Sequence, residues 1–215
     1  MNDNKMMKPR RPGRPRNPIP REKLLEIARA AFAEGGYVGT SMKVIAERAG
    51  IRKASLLHHF SSKQALYLEV LSGMVDDLGE LISAADMDRG DHVDRLDRLG
   101  ALVTEYLGAH PRAARLLLRE LVASGPFLRG PGAQAVPITM AVTASFLEDG
   151  MKAGAFVRQD PRQLALSIAG LHLVYFATAD IASELLGADV FTPDMLEQRA
   201  AELQAQVRRL CGVKG

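Results

Sequence analysis

The sequence predicts an all-α fold of about nine helices, a small N-terminal domain followed by a larger helical body. Three observations carry that expectation. Apolar residues recur at intervals of three and four along most of the chain, the spacing that gathers them on one helix face. Ala and Leu dominate, aromatic residues make up only 5%, and no segment alternates apolar and polar residues as a half-buried strand does. Gly and Pro fall between the periodic segments, where helices stop and start. With 215 residues, 47% of them apolar, the chain can bury a core for one or two domains.

Residues 1–20 read as a disordered basic arm, because Pro9, Pro12, Pro15, Pro18 and Pro20 punctuate a polar stretch. A first helix is expected over Arg21–Glu34, with Leu24, Ile27, Ala28, Ala31 and Phe32 inward and Gly35-Gly36 as its stop. A short helix over Ser41–Ala49, capped by Thr40, points Val44, Ile45 and Ala49 inward. Gly50 then interrupts, and a second short helix covers Arg52–His59. Ser61 and Gln64 have capping-box spacing at the start of a longer helix. Residues 21–66 thus form the first domain and 67–215 the second.

The long helix carries Tyr67, Leu71, Met74, Leu78 and Leu81 as one stripe, and Asp86 to Asp91 break it. A helix over His92–Ala109 turns Leu96, Leu99, Val103 and Tyr106 inward, and one over Pro111–Ser124 does so with Ala114, Leu117, Leu118 and Leu121. After a Gly/Pro loop, a helix spans Ala133–Ala153, its start delayed by Pro137. Asp160-Pro161-Arg162-Gln163 opens a helix that reaches Leu186, since it supplies a cap and a Pro in the first turn. Thr192-Pro193 opens the last helix, with Leu196, Ala200, Leu203, Val207 and Leu210 in heptad-like spacing.

Charge is divided unevenly. Residues 1–63 carry 14 Lys and Arg against 5 Asp and Glu, a balance of +9; the rest carries 14 against 20, a balance of −6. A basic front on an acidic body points to a nucleic acid held at one end. One cysteine, Cys211, can form neither an internal disulfide nor a Cys-based zinc site, and fits a reducing cytoplasm. No apolar h-region follows the basic N-terminus, and the longest uncharged stretch, Gln163 to Ala179, is too short and too polar to span a membrane. His58 and His59 lack a third ligand nearby, His92 and His110 stand alone, and Cys211 has no activating neighbour. The expectation is therefore a protein that is not an enzyme and has no cofactor or metal.

Residues 41 to 60 have the parts of a helix-turn-helix. Ala46 is small where two helices cross, Gly50 suits a turn of positive φ, and Ile51 and Leu56 can plug the pocket between them. The second helix then presents Arg52, Lys53 and Ser55 outward, where the first residues of a recognition helix meet base edges. Arg and Lys can reach guanine O6 and N7. Thr40, Ser41, Ser55 and Lys63 have the chemistry for phosphates. In the arm, Arg14 and Arg16 within Pro12-Gly13-Arg14-Pro15-Arg16 resemble an AT-hook core, which suits a narrow A·T-rich minor groove.

Residues 19–71 resemble the DNA-binding domain of the tetracycline-repressor (TetR) family. The matching pattern is F-x-E-x-G at the end of the first helix, then G-T-S, I-A-x-x-A-G, and H-x-F-x-S-K-x-x-L after the recognition helix. The resemblance implies that Thr40 and Lys63 hold phosphates, that Arg52, Lys53 and Ala54 face bases, and that Ser55 and His58 support backbone contacts. Family members often have Ser or Thr at Arg52 and Tyr at Leu57 and His59. Leu57 here can offer only apolar contact to DNA, so the family's base preference does not transfer.

The helix from Pro161 is apolar nearly all round, which suggests a partner on its second face. By resemblance it and the last helix pair with their copies in a four-helix bundle of a two-fold dimer, placing Leu166, Leu173, Val174, Leu196, Leu203 and Val207 at the interface. The resemblance also implies an effector pocket among the middle helices, with Met74, Leu78, Leu102, Tyr106, Leu117, Phe127, Phe146, His172 and Phe176 as candidate walls. None of these carries a formal charge, so a small apolar or lightly polar ligand is expected. The reading that results is a sequence-specific transcriptional repressor, released from a palindromic operator by that ligand. An architectural DNA-binding protein without an effector, or an activator, is the alternative.

Overall fold

The computed structural model describes residues 19–84 and 90–213. The arm residues Arg14 and Arg16 and most of the break at Asp86 lie outside the described residues. Among the described residues there are ten helices and no strand, one helix more than the sequence suggests.

Helix α1 (Arg21–Gly39) is two pieces joined across a kink at Gly36, where φ is 68° and ψ 177°. That backbone region is essentially restricted to glycine, so the expected stop falls where the sequence places it. Gly36→Ala is expected to lower stability by about 1–3 kcal/mol in urea denaturation; an unchanged midpoint would show that the kink is not required. Helix α2 (Met42–Arg48) is capped by Ser41, whose hydroxyl accepts from Val44 N–H at 3.3 Å. The expected cap, Thr40, is buried instead. Its hydroxyl donates to the Ala31 carbonyl at 3.0 Å, tying the turn back onto α1. Val44 is exposed; Ile45 and Ala49 are buried as expected, together with Met42 and Ala46.

Gly50, with φ of 65°, makes the turn into α3 (Lys53–His59), whose Leu56 is fully buried. Helix α4 (Lys63–Ala84) is capped by Ser62, not Ser61: Ser62 Oγ accepts from Ala65 N–H at 3.0 Å. Helix α5 (His92–Ala109) follows the sequence expectation, opened by a capping box between Asp91 and Asp94. Helix α6 (Ala113–Ala123) ends on Ser124 at φ 45°; it buries Leu116, while the expected inward residue Leu121 is 40% exposed. Helix α7 (Gly132–Lys152) contains Pro137 and is not delayed by it. The acceptor that Pro137 leaves unpaired belongs to Ala133, which is exposed, so water can serve it.

The expected single helix to Leu186 is broken at Thr178 into α8 (Pro161–Ala177) and α9 (Ala179–Leu186), bent by 77°. Thr178 takes both its N–H and its hydroxyl to the Val174 carbonyl. Arg115 from α6 clamps the two sides, donating to the Ala177 carbonyl and pairing with Asp180. Among the described residues, no single helix is long and apolar enough to cross a membrane. Helix α10 (Pro193–Leu210) closes the fold.

Two cores result. The larger runs without interruption from Leu24, Phe32, Ile45 and Leu56 in the N-terminal helices through Leu71 and Met74 of α4 to Leu116 of α6 and Phe176 of α8. The smaller joins Leu96 of α5, Leu147 of α7, Leu164 of α8 and Val207 of α10. Helix α6 therefore touches both the N-terminal head and the body.

Candidate DNA interface and ligand cavity

The recognition face is built by what is buried behind it. Leu56 plugs the head, which turns Arg52, Lys53, Ala54, Ser55, Leu57 and His58 to the surface. Arg52 caps α3 without a side-chain hydrogen bond, and neither Arg52 nor Lys53 has an ion pair among the described residues. Other cations of the head are spent on structure: Arg48 pairs with Glu34 at 2.8 Å and Arg21 with Glu69 at 2.7 Å. Arg21 also donates to the His59 carbonyl at 2.8 Å and lies 4.3 Å from the Phe60 ring centroid. It thereby fixes the end of α3 against α4, a role its sequence position does not signal.

The expected phosphate ligands separate in the structure. Ser41 is exposed at the start of α2. Thr40 is buried with its hydroxyl proton committed to Ala31, so it positions the turn and its side chain is not presented to a ligand. The Lys63 ammonium donates to the carbonyls of Tyr37 at 2.8 Å and Thr40 at 3.1 Å and sits 4.3 Å from the Tyr37 ring centroid. It closes the 37–40 turn and keeps one of its three N–H donors for a further partner.

A cavity of about 420 Å³ lies among α4 to α8. Five of the nine expected wall residues line it: Leu78, Leu117, Phe127, Phe146 and His172. Met74 and Phe176 do not, because both are fully buried in the larger core. Tyr106 is turned to α4, where its hydroxyl donates to Asp77 at 3.0 Å. Leu102 shares its side of α5; the cavity takes the face carrying Leu96, Leu99, Gly100 and Val103. The nine expected residues carry no charge, but the wall also holds Glu120, which is 3% exposed. Its carboxylate accepts from the Tyr67 hydroxyl at 2.6 Å and from Leu128 N–H at 2.9 Å. A carboxylate on the stripe of Ala113, Leu116 and Leu117 was the signal for it.

Of the six expected interface residues, Leu203 and Val207 are 2% and 5% exposed inside this chain. Both lie on α10, which packs on α5, and Val207 belongs to the smaller core, so neither side chain is left for a partner. Leu196 packs on Gly108, where a Cβ would approach it to 2.8 Å, and Leu173 packs on the larger core. Only Leu166 and Val174 remain about half exposed, joined on the surface by Ile181, Leu185 and Leu186 of α9. Cys211 is buried, and burial pushes its thiol up to about 11, away from reactive thiolate. No cluster of His, Cys, Asp or Glu among the described residues is placed to hold a metal.

The comparison with known families decides what such a head and body belong to. Residues 24–70 match the family described as bacterial regulatory proteins, tetR family, and residues 93–207 match the tetracyclin repressor-like C-terminal domain. The chain belongs to the TetR family. It is 28% identical over 145 residues to the HTH-type transcriptional regulator RutR of Escherichia coli K12, covering 67% of this chain and 68% of RutR. The ketosteroid transcriptional regulator KstR2 of Mycobacterium tuberculosis shares the fold at a TM-score of 0.73 and 24% identity, over 91% of this chain and 95% of that one. AibR, solved with isovaleryl coenzyme A and operator DNA, shares it at a TM-score of 0.72 and 22% identity, over 90% and 99%. As a TetR-family member the protein is a DNA-binding transcriptional regulator, and its all-helical body below a helix-turn-helix head is that family's fold.

Proposed function

We propose that this TetR-family protein is a homodimeric, cytoplasmic repressor that reads a near-palindromic operator through α3 and is released by a small, mainly apolar ligand in the α4–α8 cavity. The observation that carries the reading is the double role of α6. Leu117 and Glu120 of that helix border the cavity, while Arg119 beside them donates to the Glu34 carbonyl at 3.1 Å, next to the Gly36 kink of the head. A ligand that prefers one placement of α6 therefore biases the placement of the head, which is a population shift between forms of different DNA affinity. AibR, a fold relative solved with isovaleryl coenzyme A and operator DNA, supports a small-molecule effector as such, although its phosphate-bearing ligand differs from the apolar one proposed here.

Selection of bound fragments from genomic DNA is expected to return sites sharing a two-fold motif. On such a site Arg52→Ala should cost about 1–3 kcal/mol and relax base preference at one position per half-site. Lys53→Ala, which removes a second base-facing cation, should relax base preference at a neighbouring position and lower the salt slope by about 1. Fragments without a shared motif, or both variants binding as wild type does, would remove α3 from the mechanism.

A further inference from the structure

The α4–α8 cavity is not closed by this chain alone. Leu166 and Val174 of α8 line it and are 56% and 49% exposed, and Leu121 of α6 lines it and is exposed as well. A side chain that borders a cavity and also meets solvent stands at its mouth. Leu166, Gly170 and Val174 follow one another at intervals of four, so they form one line along the outer side of α8. A Cβ on Gly170 would meet nothing within 4 Å beyond its own helix backbone, so the lip is lowest between the two larger residues. An apolar ligand seated there leaves part of its hydrocarbon, and the rim around it, in water.

The same rim belongs to a larger apolar surface. Helix α7, which packs on α8, exposes Ile138 and Val142, and α9 adds Ile181, Leu185 and Leu186. Apolar residues scattered singly over a surface need no cause, but a run of them over three consecutive helices marks a site of association. The charge pattern decides the partner. No Asp, Glu, Lys or Arg occurs from Gly132 to Leu147 or from Gln163 to Ala179. A two-fold axis sets a patch against itself, so any charge on it would meet its own copy. The α7–α8 face meets itself without that repulsion, whereas a strongly charged partner would find nothing there to pair with. Leu166 and Val174 are also the two expected dimer residues that the fold leaves about half exposed.

We infer that the effector site is completed by a second copy of this chain, whose α8 face covers the mouth at Leu166, Gly170 and Val174. The inference rests on the proposed homodimer and effector cavity, and adds that ligand binding and dimerisation are coupled. A ligand held against two bodies biases their relative placement, and with it the spacing of the two heads, which a ligand enclosed by one body does only through that body's own helices. By linkage, the factor that dimerisation adds to ligand affinity at each site is returned by the ligand to the dimer, squared when both sites are filled.

N-phenyl-1-naphthylamine, an uncharged dye that fluoresces in apolar surroundings, probes the site in the DNA-free protein. Ile181→Asp combined with Leu185→Asp separates the copies without altering the cavity, because both residues are exposed and neither lines it. The variant is expected to be folded by circular dichroism, monomeric in sedimentation equilibrium, and at least about tenfold weaker than wild type in binding the dye. A factor of ten corresponds to about 55 Å² of apolar surface returned to water, at about 25 cal/mol per Å². In wild type, saturating dye should lower the dimer dissociation constant about 100-fold, and that measurement alone decides if the variant does not fold. Three results overturn the inference and leave the effector cavity standing: a folded monomer that binds the dye as wild type does, a variant that stays dimeric, or a wild-type dissociation constant that ignores the dye. A wild type that binds no dye removes the cavity as an apolar-ligand site, and one that is monomeric removes the homodimer; the inference falls with either.

Discussion

Val174→Asp combined with Leu185→Asp is expected to separate the protein into monomers and to cut operator affinity by at least about 100-fold. Val174 is 49% exposed and Leu185 84% exposed in the single chain, so the pair leaves the monomer's own core intact. In a two-fold dimer each substitution appears twice, and four carboxylates face an interface that offers them no partner. Operator affinity falls because two linked heads bind with an avidity of about 10²–10⁴ over one head. Sedimentation equilibrium and fluorescence anisotropy on the selected operator read the two effects separately. A variant that stays dimeric would move the interface elsewhere on the body. A monomer that keeps wild-type affinity would remove the two-headed reading of DNA.

Where the cause of a feature lies within a few residues, the sequence shows it. Helix α5 is bounded as expected because Asp91 and Asp94 cap it locally, and the Gly36 kink falls at the predicted stop because that backbone angle needs glycine. The break at Thr178 was not legible, since it is stabilised by Arg115, an arginine 62 positions away from Ala177 in sequence. The last helix misleads for a related reason. A seam of Leu196, Leu203 and Val207 has the same spacing whether it meets a second copy or, as here, α5 of its own chain. Arg208 and Asp97 pair across that packing. Within the site, α3's outward face follows from Leu56 alone, whereas Thr40 and Lys63 took structural bonds that no local pattern announces. Five of the nine expected wall residues line the cavity because the helix stripes they sit on face inward. The misses on α5 lie about one residue round the helix, an angle that the neighbours of α5 determine and its own sequence does not.

Tyr67→Phe is expected to destabilise the fold by about 1.5–3 kcal/mol, the usual range for a hydrogen bond to a charged group. The hydroxyl it removes donates to Glu120 at 2.6 Å, and both residues are at most 3% exposed, so no water replaces it. In a double-mutant cycle with Glu120→Gln the two losses should not add, because each removes the same pairing. The pH dependence follows from the same burial. Burial, and then the Glu120 carboxylate, push the Tyr67 hydroxyl far above its ordinary value of 10.0. Stability from this group is therefore complete below pH 10 and is lost as pH rises past it, since only the unfolded chain ionises there. Tyr106, also raised by burial and then by Asp77, adds to the same alkaline loss. Urea midpoints at about pH 8 and about pH 10.5 should differ less for Tyr67→Phe than for wild type. The functional consequence lies on the other side of Tyr67, whose ring stands 4.9 Å from Phe32 and 4.8 Å from Tyr37, the residue whose carbonyl Lys63 holds. Glu120 on the cavity wall is thus joined through one hydroxyl to the aromatic packing behind the 37–40 turn. If that contact carries the response, Tyr67→Phe keeps DNA binding and weakens ligand-driven release by about 0.5–2 kcal/mol of coupling. A variant that is destabilised yet releases DNA at the wild-type ligand concentration would place the coupling on Arg119 and the Glu34 carbonyl instead.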